Sequence, residues 1–184
     1  MSTLEEQIRT LSKRLERLEN LEAIRNVLER YGRALDWLDA EALEPIFFDD
    51  ASVDYGVFSG SGKDFKRELM VIENTFPKRW HFSGSPVISF HDDRSAAVES
   101  WQIAVSSQSD NISDPFGVYY GWYLDEFVKR EGRWGIIRRK HVLSGITFAN
   151  EGELPEVLSS LNRLFKASPK HDDYRPMPEN EPPK

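Results

Sequence analysis

Four residues whose side chains move protons fall at two points in the chain. Tyr31, Asp36 and Asp39 lie in Tyr31-Gly-Arg-Ala-Leu-Asp36-Trp-Leu-Asp39, and His81 lies in Trp80-His81-Phe82-Ser83-Gly84. Imidazole has a resting pKa near neutrality and can take or give a proton at physiological pH. A carboxylate beside it fixes its tautomer and stabilises the imidazolium. Enclosed in an aromatic-lined pocket, such a pair does acid–base chemistry without a metal or organic cofactor.

Asp36 is the preferred carboxylate. Asp39 has another task as a helix cap, whereas Asp36 follows the apolar Leu35 and borders a buried face, where a carboxylate needs a partner. Tyr31 lies on the apolar stripe itself. Its hydroxyl reads either as core packing or as a hydrogen-bond donor to a substrate oxygen. On a straight helix Tyr31 and Asp36 point about 140° apart, so one cavity serves both only if the helix end frays or the cavity wraps around it. Tyr55 is a second candidate hydroxyl. Arg139 and His141 share strand parity and so one face, where an inward Arg139 would attract a carboxylate, phenolate or leaving group. Trp101 and Tyr120, with their aromatic neighbours, divide between cavity lining and subunit interface.

Several function classes are disfavoured. The chain has 184 residues, net charge −7 and no extended basic run, which argues against nucleic acid and anionic membrane surfaces as partners. With no cysteine there is no disulfide, thiolate metal site or cysteine nucleophile. No His-x-His or His-Glu-x-x-His spacing suggests a metal. No stretch approaches a membrane span, and the N-terminus carries charge from Glu5 with no apolar signal core. A cytoplasmic protein is the expectation. Abundant aromatics (5 Trp, 6 Tyr, 11 Phe) suit a pocket for a flat apolar ligand.

The positioning elements are legible from periodicity. Leu4, Ile8, Leu11, Leu15 and Leu18 alternate steps of four and three, and Ile24, Leu28, Tyr31 and Leu35 continue the stripe. This predicts one helix from about Thr3 to about Leu38, its first two heptads resembling a short coiled-coil seam. A short helix is expected over Ala40–Asp49, a short strand over Ala51–Tyr55, a loop from Gly56 to Gly62 and a third helix over Lys63–Phe76 ended by Pro77. Four long strands follow, over Arg79–His91, Ala96–Gln108, Gly117–Arg130 and Arg133–Phe148. A bulge is expected at Gly84-Ser85-Pro86. The loop Ser109–Phe116 is placed to lid a cavity. The division is an N-terminal extension (1–20), a domain (21–150), a helix within 151–167 and a disordered or extended tail (168–184).

In order, these features resemble the SnoaL-like branch of the NTF2-like superfamily. The resemblance rests on the long helix with Tyr-x4-Asp-x2-Asp, Phe-Phe-Asp-Asp-Ala, Val-Asp-Tyr-Gly, the His on the first long strand, Tyr120-Gly-Trp-Tyr-Leu-Asp-Glu-Phe and Arg133-Trp-Gly-Ile-Ile-Arg, from about Leu21 to Phe148. It implies an α+β, cone-shaped fold in which a curved, mostly antiparallel mixed sheet wraps around N-terminal helices and encloses an apolar cavity. It implies cofactor-free chemistry like that of scytalone dehydratase, hexachlorocyclohexane dehydrochlorinase, a bile acid dehydratase and a diarylpropane lyase. Asp36 and His81 match the Asp and His of the dehydratase and dehydrochlorinase branches, Tyr31 the tyrosine of the bile acid enzyme, and Arg139 the basic residue of the dehydrochlorinase. The second histidine of scytalone dehydratase has no counterpart between Ala96 and Lys140.

The expected function is therefore a lyase that eliminates water, halide or formaldehyde from an aromatic or polycyclic small molecule, such as a lignin-derived diaryl alcohol, by His81/Asp36 proton transfer. Tyr31 or Tyr55 would assist, in a dimeric or trimeric homo-oligomer. The alternatives are an isomerase or cyclase in the same cavity, and a non-catalytic binding or assembly subunit such as a dioxygenase β subunit.

Overall fold

The structure, a computed structural model, describes residues 3–84, 86–109, 111, 114–150, 155–158 and 166–178. Helix α1 (Leu4–Asp36) opens on a capping box in which Thr3 and Glu6 satisfy each other's backbone N–H groups. Its two halves have different fates. Ile24, Leu28, Tyr31 and Leu35 are buried, whereas Leu4, Ile8, Leu11, Leu15 and Leu18 are exposed. Asn20 marks the boundary, its side-chain oxygen accepting from Trp134 and Lys129 at 2.9 Å each.

Helix α1 stops because Leu38 takes a left-handed conformation (φ 52°). The short helix expected over Ala40–Asp49 is corrected here: α2 spans only Ala40–Leu43, capped by Asp39, and strand β1 begins at Phe47 and runs to Asp54. Pro45 cannot extend the helical hydrogen-bond ladder. From Ile46 the backbone is captured by the last strand instead, with Ile136 N donating to Ile46 O at 2.9 Å. The glycine-rich loop contributes a short strand β2 (Ser59–Ser61) before α3 (Gly62–Glu73).

The remaining strands are β3 (Lys78–Ser83), β4 (Val87–Phe90), β5 (Ser95–Ser107), β6 (Phe116–Arg130) and β7 (Arg133–Ala149). They form one unclosed sheet in the order β2-β1-β7-β6-β5-β3, with β4 also on β5. Only β1 and β7 run parallel. The expected first long strand is thus split. Ser83 faces Gln102 and Val87 faces Glu99, which leaves one extra residue on the 84–86 side, the bulge predicted at the proline. At the β6–β7 hairpin Glu131 and Gly132 both have positive φ (51° and 80°), the signature of a two-residue turn matched to strand twist.

The helix expected over Leu154–Ala167 lies largely outside the described residues, which show one helical turn at Glu156–Leu158. Of the expected lid, Ser109, Asn111, Asp114, Pro115 and Phe116 are described, the last as the first residue of β6. Residues 166–178 return to the end of α1, where the rings of His171 and Tyr174 meet Trp37 edge-on and the Tyr174 hydroxyl donates to Asp39. Among the described residues no helix is long and apolar enough to cross a membrane.

Candidate active site

Cross-strand partners share a face of a sheet. On the concave face His81 is opposite Ala104, Ala104 opposite Tyr119, and Tyr119 opposite Ile146. The next row holds Ser83, Gln102 and Leu143, and the one below it Ser100, Tyr123 and His141. Ile146 and Leu143 are large apolar residues left exposed on this inner face, so the floor beside His81 is open at one end.

The end of α1 comes to His81 through Gly32, the one glycine of that helix. A Cβ on Gly32 would lie 3.3 Å from the His81 carbonyl oxygen, so a larger side chain would push helix and strand apart. Asp36, one turn further along the same helix face, then reaches the ring: its Oδ1 lies 2.8 Å from His81 Nδ1. The other ring nitrogen, Nε2, faces Glu73 Oε1 at 3.5 Å, longer than an ordinary hydrogen bond. The three side chains are 10% (His81), 20% (Asp36) and 9% (Glu73) exposed. Glu73 was not anticipated. Its signal is the spacing Phe65–Leu69–Glu73, which puts a carboxylate on the buried stripe of α3.

Burial alone would disfavour a charged His81 ring, but Asp36 and Glu73 outweigh it and lift its pKa to about 9. Burial also raises Asp36, against the opposing bond from His81. With two carboxylates facing one imidazole, the ring carries the proton at neutral pH. Arg79 stands beside them. Its guanidinium donates to Leu35 O, Phe76 O and Ala167 O, which ties the ends of α1 and α3 to β3, and its charge reaches Asp36 and Glu73.

Tyr31, Tyr55, Arg139 and His141 form a second cluster deeper in the cone. Tyr55 OH lies 3.2 Å from Tyr31 OH and 2.8 Å from Tyr123 OH. Tyr55 stacks on His141 at 4.5 Å, and Gln102 Nε2 lies 3.0 Å from His141 Nε2. Burial pushes all three phenols up, so they remain neutral hydroxyls. Burial, aided by the charge of Arg139, pushes His141 down, so its neutral Nε2 accepts from Gln102. Arg139 faces inward but is committed to Asp125 through bonds of 2.8 and 2.7 Å, with both side chains fully buried. Its Cζ lies 4.4 Å from the Tyr31 ring centre and 4.0 Å from that of Tyr123.

The structure thus brings Asp36 and His81 together, and Tyr31, Tyr55 and His141 together. It does not bring Trp101 and Tyr120 to either cluster. These two are exposed on the convex face with the stacked pair Trp80–Phe82. A recess of about 410 Å³ also opens on the convex side, between Val87, Glu99, Leu124, Glu126, Arg138 and Lys140. It contains none of the predicted residues, and the titratable geometry on the concave face is the stronger guide to chemistry. Among the described residues no group of three or more His, Asp or Glu is arranged to hold a metal ion.

A sequence profile of the SnoaL-like domain matches residues 16–140. Among solved structures the chain is similar to a scytalone dehydratase-like protein from Novosphingobium aromaticivorans, at 27% identity and TM-score 0.65, over 76% of this chain and 92% of that one. It is similar to a type 2 hexachlorocyclohexane dehydrochlorinase at 16% identity and TM-score 0.68, over 77% and 96%. An NTF2-like protein with a cystatin-like fold, also from N. aromaticivorans, is 23% identical with TM-score 0.66, over 78% and 92%. No curated protein sequence matches.

Proposed function

The chain belongs to the SnoaL-like domain family of the NTF2-like superfamily, and from that premise we propose that it is a cofactor-independent lyase working by proton transfer at His81. One observation carries this reading. A histidine on the open concave face is held at Nδ1 by Asp36 at 2.8 Å, while Nε2 is left without a short partner. A ring used only to fasten elements together would have both nitrogens engaged at hydrogen-bond length. The hydroxyls and imidazole of the second cluster are neutral, and its partly exposed members Tyr55 and His141 would hold a substrate oxygen without competing for the proton, with the buried Tyr31 hydroxyl supporting Tyr55. The substrate class is an aromatic or polycyclic alcohol or halide that loses water, halide or formaldehyde, matched to Tyr119, Leu143 and Ile146 along the concave floor.

The test is a panel of aromatic secondary alcohols and β-hydroxyketones incubated with chelator-treated protein. The expected result is a new ultraviolet band from a conjugated product, with no metal or cofactor added. No spectral change with any member would refute the reading.

The partner reading is a second copy of this chain. Leu4, Ile8, Leu11, Leu15 and Leu18 are exposed at coiled-coil spacing. With the leucines at 4, 11 and 18 in d positions, a parallel pair sets Arg14 of one copy against Glu19 of the other, while an antiparallel pair opposes Glu5 and Glu19. Sedimentation should show an oligomer whose association weakens in Leu15→Glu.

A further inference from the structure

A dehydration moves two protons, one off the substrate and one onto the leaving hydroxyl. A histidine–aspartate pair alone must do both with one ring. Here the ring has a second carboxylate at hand, and that carboxylate faces Nε2, the nitrogen not bonded to Asp36. Glu73 is the last residue of α3, 7% exposed as a whole residue, with Oε1 3.5 Å from His81 Nε2. The two atoms face each other across that gap, close enough to serve one substrate.

We propose that Glu73 is the base and the His81 imidazolium the acid of a single two-proton elimination. The proposal rests on the lyase reading above and assigns its roles. For a β-hydroxyketone, Glu73 takes the proton from the carbon between carbonyl and carbinol. The C–H electrons form the double bond, the C–O bond breaks with its pair on oxygen, and Nε2–H protonates that oxygen as it leaves as water. Glu73 then holds a proton and His81 is neutral. Transfer across the 3.5 Å gap restores both, so the cycle consumes no other base. Because donor and acceptor sit side by side, hydrogen and hydroxyl leave from the same face of the substrate.

Every element packed on the ring fits these roles. Asp36 of α1 holds Nδ1, Arg79 of β3 balances charge, and the residue opposite on β5, Ala104, is uncharged. Burial of the ring is outweighed by the two carboxylates, so at neutral pH it is loaded with the proton the leaving group needs.

The assignment has a sign. An acid at His81 makes turnover fall as pH rises through about 9. A base at His81 would make turnover climb over that range. The probe is the benzaldehyde–acetone aldol, whose dehydration gives the chromophore benzalacetone, alongside any panel alcohol that turns over. Glu73→Gln, similar in size, is expected to lower turnover about 100-fold with the thermal midpoint retained. A ligand-free arm follows the ring nitrogens of His81 by nitrogen-15 NMR, where Glu73→Gln should bring the titration midpoint down by at least about one pH unit. The proposal is overturned by wild-type turnover in Glu73→Gln, by a rate that climbs through pH 9, or by an unmoved His81 midpoint. No turnover of any probe by the wild type sinks the lyase reading itself. Equal turnover by wild type and Glu73→Gln sinks only the role of Glu73.

Discussion

Two buried charge clusters sit in one cone, and they are built differently. Arg139 and Asp125 form a closed ion pair: one cation, one anion, both fully buried, joined by two bonds of 2.7–2.8 Å and faced by the rings of Tyr31 and Tyr123, with only Arg139 Nη1 left unpartnered. The His81 cluster is left open, with two carboxylates on one ring, one short bond, one contact at 3.5 Å and residual exposure on all three members. Full burial with matched charge leaves a pair little net charge to give a substrate. Surplus charge with an unfilled position leaves it a proton to move. Arg139, a substrate anchor in the sequence reading, has its charge matched by Asp125 while its Nη1 stays unpartnered.

The contrast is broken or sharpened by substitution. The largest effect is expected at the closed pair. Arg139→Leu strands Asp125 without a cation and should cost about 3–5 kcal/mol in urea unfolding, with activity lost only as the fold is lost, while Arg139→Leu combined with Asp125→Leu should recover much of that stability. If the single variant is as stable as wild type, the pair is not structural. Asp36→Asn removes a carboxylate from the open cluster. It should lower turnover about 100-fold by releasing Nδ1, with the thermal midpoint changed by only a few degrees. A loss of fold there would make the two clusters alike.

The smallest effect is in pH dependence. The pKa of His81 is raised in the fold to about 9 from an ordinary 6.5. The stability it contributes is therefore whole below pH 6.5, declines as pH rises, and is gone above about 9, a change of at most about 3 kcal/mol. Urea unfolding between pH 6 and 10 should show this decline in the wild type and a flatter profile in His81→Gln. Equal slopes would mean that the carboxylates do not hold the proton on the ring.

Much of this was legible in the residues. The long helix, the four long extended segments and the proline bulge follow from periodicity and punctuation, because each signal is local. The Asp36–His81 meeting was suggested by residue type, and Gly32 explains it physically: the one residue without a side chain in the helix marks where a strand crosses closely. What was missed depends on tertiary pairing. Phe47 and Phe48 continue an apolar run just past Pro45, and only capture by β7 makes them strand. Trp101 and Tyr120 suit a cavity lining or a subunit interface equally by pattern, and only register tells concave from convex. Glu73 was readable as the third member of Phe65–Leu69–Glu73, but a carboxylate at a helix end ordinarily reads as solvated.

The central claim is that His81 moves the proton. Its most direct test is turnover of the alcohol panel by His81→Ala beside the wild type, with the fold of each checked by circular dichroism. Loss of at least about 1,000-fold in a folded variant is the predicted result. A folded His81→Ala protein that turns over substrate within a few-fold of wild type would contradict it.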